Sequence, residues 1–222
     1  IRDLDYKMHT WEEQREGSLE IWQPPGFEER FIIGADVALG VGGDYSTAVV
    51  MNSKREVVAL YRNNRVDPSR FGEDLFYLGR YYNNALLAVE SNTIGISTLQ
   101  KLKDMNYVNL YHQTKIGNIS NEEGIRLGFR TTSASKPAII GNLKNWIDSD
   151  DIAIWSQKIV SELRDYIADD KGHTNAASGS YDDTVMALAI AAEVYRTHSD
   201  KLSTTRVGFK DTFLPIQELN WI

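Results

Sequence analysis

Four carboxylates stand in settings that suit a metal site, although they lie far apart in the sequence. Asp36 and Glu90 each end a run of apolar residues, and Asp182 and Asp183 open another. A carboxylate at the end of a buried strand costs free energy unless a positive charge neutralises it, and carboxylates brought together cost more because they repel. A divalent cation removes both costs, and hard oxygen ligands suit Mg²⁺ or Mn²⁺. The pattern therefore indicates metal-dependent phosphoryl transfer, and nucleic-acid cleavage in particular.

The four acids are not expected to act alike. Asp36 is the predicted bridging ligand of two metal ions, because its strand is expected in the middle of a sheet, and Glu90 on the neighbouring strand is expected to bind one ion. Asp182 and Asp183 diverge by about 100° on a helix. One of them is therefore expected to bind metal, and the other to lie at the rim or to favour the positive helix N-terminus. Each acid alone is also compatible with a cap or turn role.

The elements that must position these acids follow from the periodicity of the apolar residues. Three antiparallel strands, at 31–37, 46–52 and 57–62, precede helices that alternate with strands. This order predicts an α/β fold, with a mixed sheet (three antiparallel strands, then parallel strands) and helices on both faces. The acid-bearing elements after them are a strand at 86–90 and a helix at 182–195, which follows a polar loop at 169–180.

The chain is predicted to divide into three parts. Residues 1–30 are polar and rich in Glu and Trp, and they are expected to form an arm or linker, with a short extended piece near residues 19–22. Residues 31–198 form the predicted domain, and 199–222 a tail. The chain begins with Ile1, and we therefore expect it to be a fragment of a longer protein.

Composition limits the function classes. The chain has 222 residues, 42% hydrophobic and 25% charged, and it has no cysteine, which excludes disulfides and thiolate metal sites. No apolar run approaches the roughly 20 residues of a membrane span. The net charge of −7 argues against a protein that coats DNA non-specifically, but a local basic strip suffices to hold one backbone. The candidate DNA-binding residues are Lys115, Arg126, Arg130 and Lys136, each of which is also compatible with a solvated surface. Asp44 follows a Gly-rich turn, and it either belongs to that turn or supports the metal ligands.

The acids and their local sequences resemble a known group of nucleases. The chain is similar to the ribonuclease H-like nucleases, and within them to the nuclease domain of the large terminase subunit of tailed bacteriophages. The resemblance covers roughly residues 30–195. The stretches that carry it are GADVALG at 34–40, DYS at 44–46, VESN at 89–92 with Gly95, Thr132 with Lys136, SEL at 161–163 and GSYDD at 179–183. Tyr181 departs from the family pattern, which often has His before the paired acids.

The resemblance implies a two-metal endonuclease that cuts double-stranded concatemeric DNA during genome packaging in the host cytoplasm. Two Mg²⁺ or Mn²⁺ ions are expected with substrate, held by the four acids. In that family an ATPase motor domain precedes the nuclease in the same protein, but no G-x-x-x-x-G-K-[ST] loop occurs here. The portal and the small terminase subunit are the further partners that the resemblance implies.

Three other interpretations are compatible with parts of the sequence. Another ribonuclease H-like nuclease, of the resolvase or transposase type, would use the same acids on a different substrate. An actin or sugar-kinase fold also starts with an Asp on its first strand and a Gly-rich turn, but it duplicates the domain, and 222 residues leave no room for a second half. A non-catalytic module that only binds DNA or a partner would have no need of the acids.

Overall fold

The computed structural model describes residues 2–5, 10–13, 17–114, 125–168, 174–176 and 181–203. The strands in this part of the chain are β1 (Arg2–Asp5), β2 (Thr10–Glu13), β3 (Leu19–Ile21), β4 (Phe31–Asp36), β5 (Ser46–Asn52), β6 (Glu56–Asn63), β7 (Leu86–Val89), β8 (His112–Thr114), β9 (Ile125–Leu127), β10 (Ala153–Ile154), β11 (Tyr166–Ala168) and β12 (Thr174–Ala176). The helices are α1 (Pro68–Tyr81), α2 (Gly95–Asp104), α3 (Lys136–Asp148), α4 (Gln157–Asp165) and α5 (Asp183–Ser203).

A mixed sheet positions the candidate acids. Its strands follow the order β2-β1-β3-β6-β5-β4-β7, and β10 pairs with β6 beside β3. The pairs β4·β5 and β5·β6 are antiparallel, whereas β7 runs parallel to β4 and β10 runs parallel to β6. The predicted mixed sheet is therefore confirmed. Because β4 and β7 are parallel neighbours, their carboxyl ends lie at the same edge of the sheet.

Strand alternation decides which side of the sheet each acid faces. Phe31, Ile33 and Ala35 of β4 belong to one core with α1 and α2, and Ile32 belongs to the other core with α3, α4 and α5. Successive side chains of a strand point to opposite faces. Asp36 therefore faces the α5 side, and the same alternation along β7 places Glu90 there. Helices cover both faces of the sheet, as predicted.

Helix α5 lies directly against β4. A Cβ atom built on Gly34 would lie 2.2 Å from the carbonyl oxygen of Ala187 and 2.5 Å from the backbone nitrogen of Ala191. The absence of a side chain at Gly34 thus allows the helix backbone to touch the strand. This close approach brings the start of α5 to the edge of the sheet where β4 ends.

The N-terminal part of the chain contributes to the sheet. Residues 19–21 form β3, which pairs with β6, and Leu19 is completely buried. The division of the chain at residue 30 stays a prediction. Of the predicted tail at 199–222, residues 199–203 continue α5, and the rest lies outside the described residues. Of the predicted polar loop at 169–180, the described residues 174–176 form β12, which pairs with β11. Among the described residues, no helix is both long and apolar enough to cross a bilayer.

Candidate active site

Asp36 and Glu90 meet where β4 and β7 end. The backbone N–H of Glu90 donates to the carbonyl of Ala35 at 2.8 Å, which continues the parallel pairing by one residue. The Glu90 carboxyl lies close enough to Asp36 to raise the pKa of Asp36, and the Asn92 amide donates to Oε2 of Glu90 at 2.8 Å. Gly95 lets the next helix begin against this turn, since a Cβ atom there would lie 1.8 Å from the carbonyl oxygen of Glu90.

The environment of Asp36 disfavours its ionised form. Burial raises the pKa of the Asp36 carboxyl well above its usual range, and the nearby charges of Glu90 and Asp183 raise it further. The backbone N–H of Val37, which donates to Oδ1 at 2.9 Å, opposes these effects only in part. The carboxyl group of Asp36 therefore favours its protonated form unless a positive charge offsets its burial and the neighbouring acids.

The paired acids at the start of α5 point in different directions. Asp183 is buried, and its Oδ2 accepts the backbone N–H of Tyr45 at 2.9 Å. Asp182 lies one residue before the helix, and its Oδ2 accepts Nζ of Lys136 at 3.0 Å. Asp183 influences the ionisation of Asp36, so it is the member of the pair that lies toward the sheet acids.

The pKa of the Asp183 carboxyl is raised to about 6. Burial is the main cause, and the charges of Glu162, Asp44 and Asp182 add to it, whereas the Tyr45 N–H lowers the pKa. Asp44 itself is exposed in the loop between β4 and β5. The structure therefore places Asp44 near enough to Asp183 to affect its charge, in a surface loop.

Among the predicted DNA-binding residues that the structure describes, Lys136 is the one whose side chain contacts one of the four acids. It is the first residue of α3 and is partly buried. Burial alone would lower the pKa of its ammonium group, but the hydrogen bond and charge of Asp182 outweigh burial, and the pKa is raised. Lys136 therefore remains a cation beside the acidic cluster.

Two of the other predicted basic residues, Arg126 and Arg130, lie on β9 or just after it. Phe129 bridges to Glu90 in parallel register, and Arg130 follows it as an exposed residue whose backbone N–H donates to Gln113. Arg126 is on β9 and is partly exposed. Lys115 lies outside the described residues.

Sequence reasoning gave no role to a buried network behind Asp183. Glu162 on α4 is 7% exposed, and its Oε2 accepts both the backbone N–H, at 2.9 Å, and the hydroxyl of Thr184. Its Oε1 accepts Arg62 at 3.0 Å, and the Arg62 guanidinium carbon lies 3.4 Å from the centre of the Tyr45 ring. Glu162 thus secures the first turn of α5, on which Asp183 lies. The signal in the sequence was an acid on the apolar face of an amphipathic helix.

The carboxylate oxygens of the acids suit a divalent ion, but the acids are not arranged around a single ion position. In the part of the chain that the structure describes, no three His, Asp or Glu side chains are grouped so as to hold one ion. Asp36 and Glu90 lie beside each other, whereas the Asp183 carboxylate accepts the backbone N–H of Tyr45.

Replacement of Asp183 by asparagine is expected to stabilise the metal-free protein at neutral pH. The raised pKa means that the wild type loses folding free energy as the pH rises from about 4 to about 6. Asp183→Asn retains an oxygen for the Tyr45 N–H but cannot ionise. We expect a gain of about 1 kcal/mol at pH 8, after allowance for solvent screening and for the lost attraction to the helix N-terminus. Urea unfolding in EDTA at pH 8 and pH 4 checks this, and an equal difference at both pH values would contradict it.

Solved structures, rather than sequences, show what the chain is similar to. No protein-family model and no curated protein sequence matches it. The large terminase nuclease of thermophilic phage G20c, solved with bound cobalt and with bound magnesium, is 22% identical, with a TM-score of 0.64 over 81% of this chain and 89% of that chain. The large terminase nuclease domain of Thermus phage P74-26 is 22% identical, with a TM-score of 0.61 over 89% and 92% of the two chains.

The likeness extends over most of both chains, and it confirms at the level of fold the resemblance carried by the sequence stretches. The mixed sheet with helices on both faces is the architecture that the resemblance predicted. This chain has the ribonuclease H-like fold of the nuclease domains of phage large terminases.

Proposed function

We propose that this chain is a divalent-metal-dependent endonuclease that hydrolyses double-stranded DNA. The observation that carries the proposal is the meeting of Asp36 and Glu90 at the ends of two parallel strands, with Asp183 facing them from the start of α5. Carboxylates held together in this way cost folding free energy without a cation. A module that only binds a partner would have no reason to bear that cost, which favours the catalytic interpretation.

The donors fit Mg²⁺ or Mn²⁺. All are carboxylate oxygens, which both ions prefer, and a cation would relieve the unfavourable charge that raises the pKa of Asp36. We assign Asp36 and Glu90 as ligands and Asp183 as the third, since Asp183 lies toward Asp36 whereas Asp182 is engaged by Lys136. Asp182 is then a rim residue that orients Lys136.

The two metal ions expected with substrate would activate water and stabilise the leaving 3′ oxygen. The residues of the chain prepare the site for that chemistry. Asn92 and the Tyr45 N–H orient the carboxylates of Glu90 and Asp183 by hydrogen bonds. Glu162 holds the first turn of α5, and Lys136 supplies a positive charge for a phosphoryl oxygen of the substrate. Asp44 adjusts the charge around Asp183 from outside the ligand set.

The substrate we propose is concatemeric phage DNA, cut during genome packaging. The likeness to two phage large terminase nucleases over most of their length supports this substrate above those of resolvases and transposases. The proposed partners are an ATPase motor domain of the same protein, the portal and the small terminase subunit. Arg126 and Arg130 are proposed to bind the duplex beside the site, because Phe129 brings the residues around Arg130 to the Glu90 edge. Lys115 is proposed as a further DNA-binding residue from the sequence alone.

Plasmid cleavage tests the proposal directly. We expect supercoiled DNA to be linearised or degraded with Mn²⁺ or Mg²⁺ and to stay intact in EDTA. Calorimetric titration with Mn²⁺ gives an independent measure of the site. Because the ion displaces a proton, the binding enthalpy should depend on the ionisation enthalpy of the buffer, and affinity should rise with pH. Absence of both cleavage and Mn²⁺ binding would refute the proposal, and binding without cleavage would reduce it to a metal site.

A further inference from the structure

A polar cleft adjoins the acidic site at Tyr45 and has no role in the proposed chemistry. Its volume is about 300 Å³. It is lined by polar and aromatic side chains, namely Ser18, Tyr45, Arg62, Asn63, Asn64 and Lys158. Two of these side chains are cations, and the other four carry hydroxyl or amide groups. Such a lining suits an anion that accepts hydrogen bonds.

The Arg62 side chain is held in the cleft on three sides. One terminal nitrogen donates to Glu162, the guanidinium group lies 3.4 Å above the Tyr45 ring, and the Tyr181 ring centre is 5.5 Å away. Its Nε is buried, and among the described residues it has no hydrogen-bond partner. A buried donor without an acceptor costs about 1–3 kcal/mol, so the protein neighbours of Arg62 leave part of its hydrogen-bonding capacity unused. The fixed fork of Arg is suited to phosphate oxygens.

Tyr45 connects the cleft to the acids. Its ring lines the cleft, whereas its backbone N–H donates to Asp183. Tyr181 contacts the Tyr45 ring edge-on and directly precedes Asp182 in the chain. An anion in the cleft and a phosphodiester at the acids would therefore lie on the two sides of Tyr45.

We infer that this cleft binds a backbone phosphate of the DNA strand on one side of the scissile position. Arg62 and Lys158 supply the charge, and Asn64 and Ser18 lie beside them. Glu162 then acts as a positioning residue twice, since it holds both Arg62 and the first turn of α5. The inference rests on the proposed nuclease function for the identity of the strand.

Matched lysine substitutions test the cleft. Lys158 pairs with Glu20 on the surface, and Lys144 pairs with Asp148 on the exposed side of α3. Lys158→Gln and Lys144→Gln therefore remove the same charge and the same kind of ion pair, and they differ in position. Arg62→Lys keeps the charge opposite Glu162 but loses the planar fork. Thermal melting by circular dichroism verifies that each variant is folded.

The primary measurement is the anisotropy of a short fluorescent duplex in EDTA over a series of KCl concentrations. We expect Lys158→Gln to weaken binding several-fold and to lower the slope of log K against log[KCl] by about 0.9, the value for one phosphate contact. Lys144→Gln should leave the slope unchanged, and Arg62→Lys should weaken binding with little change in slope. In cleavage assays Lys158→Gln should raise KM and retain kcat.

Two results would overturn the inference. The first is that both glutamine variants show equal affinities and slopes and that Arg62→Lys binds the duplex as tightly as the wild type, which would show that the cleft binds no phosphate. Metal-dependent cleavage by the wild type would in that case still support the nuclease proposal. Saturable binding of thymidine monophosphate, abolished by Lys158→Gln, would assign the cleft to a free nucleotide instead of a strand. A wild-type chain that neither binds duplex nor cleaves with Mn²⁺ would refute the nuclease proposal and the cleft together.

Discussion

Asp36→Ala should abolish metal-dependent cleavage while the protein remains folded. The charges of Glu90 and Asp183 both raise the pKa of Asp36, so Asp36 is the acid that lies near both of the others. Its removal therefore takes away the central ligand of the proposed metal site. Loss of a few kcal/mol of transition-state stabilisation corresponds to at least about a hundredfold in rate, since about 1.4 kcal/mol is tenfold. Single-turnover cleavage of plasmid with Mn²⁺, at enzyme concentrations above the substrate, measures this loss.

The same substitution should stabilise the metal-free protein. The raised pKa of Asp36 shows that its ionised form is unfavourable in the fold, so stability is lost as the pH rises through that pKa. Alanine has no ionisable group and removes the repulsion. We expect a higher melting temperature than that of the wild type in EDTA at neutral pH, and a loss of the stabilisation that Mn²⁺ gives to the wild type.

Asp148→Ala is the matched control for Asp36→Ala. Asp148 is an exposed aspartate at the end of α3, paired with Lys144 on the surface. Its removal should leave activity unchanged and alter stability by no more than about 0.5 kcal/mol. Full activity in Asp36→Ala, with Asp148→Ala equally active, would contradict the assignment of the site.

Gly34→Ala is expected to have the largest effect on the fold. The added methyl group would lie 2.2 Å from the carbonyl oxygen of Ala187, and backbone atoms cannot move aside as a flexible side chain can. Helix α5 must then shift away from β4, which costs about 3 kcal/mol. A shift of this kind also separates Asp183 from Asp36. We expect a fall of roughly 5–10 °C in melting temperature and a loss of cleavage even well below it.

Gly141→Ala is the control for this substitution. Gly141 is in the middle of α3, and a Cβ atom there would meet nothing within 4 Å. Alanine is the better helix former by up to about 1 kcal/mol, so Gly141→Ala should stabilise the protein slightly and leave cleavage unchanged. If both alanine variants melted like the wild type, the close approach of α5 to β4 would be wrong.

Much of the fold was predictable from local patterns. The apolar runs that end at Asp36 and Glu90 are strands, and the proline that follows Asp67 begins a helix, capped by the Asp67 carboxylate at 3.0 Å from the Ser69 N–H. Periods of two and of 3.6 residues report which side of an element is buried. They therefore also predict that helices cover both faces of the sheet.

Other parts of the fold depend on distant partners. Residues 19–21 were expected as a short extended piece of an arm, but they pair with β6, about 40 residues later. Residues 174–176 lie in a polar stretch, and they form a strand because 166–168 provide a partner. Short polar strands carry little periodicity of their own, so that only the pairing in the folded chain defines them.

The sequence by itself determined the candidate acids. A carboxylate at the end of a buried strand costs free energy, and an acid that directly follows an apolar run is visible in the sequence alone. Only the tertiary structure decided how these acids divide their tasks. Lys136 donates a hydrogen bond to Asp182, and the Tyr45 N–H donates one to Asp183. Arg62 donates to Glu162, which is 100 residues away in the sequence. These contacts arise from the parallel pairing of β4 with β7 and from the close packing of α5 against Gly34. No local pattern encodes them, since directed hydrogen bonds and the desolvation that raises the pKa values of Asp36 and Asp183 exist only once distant elements have come together.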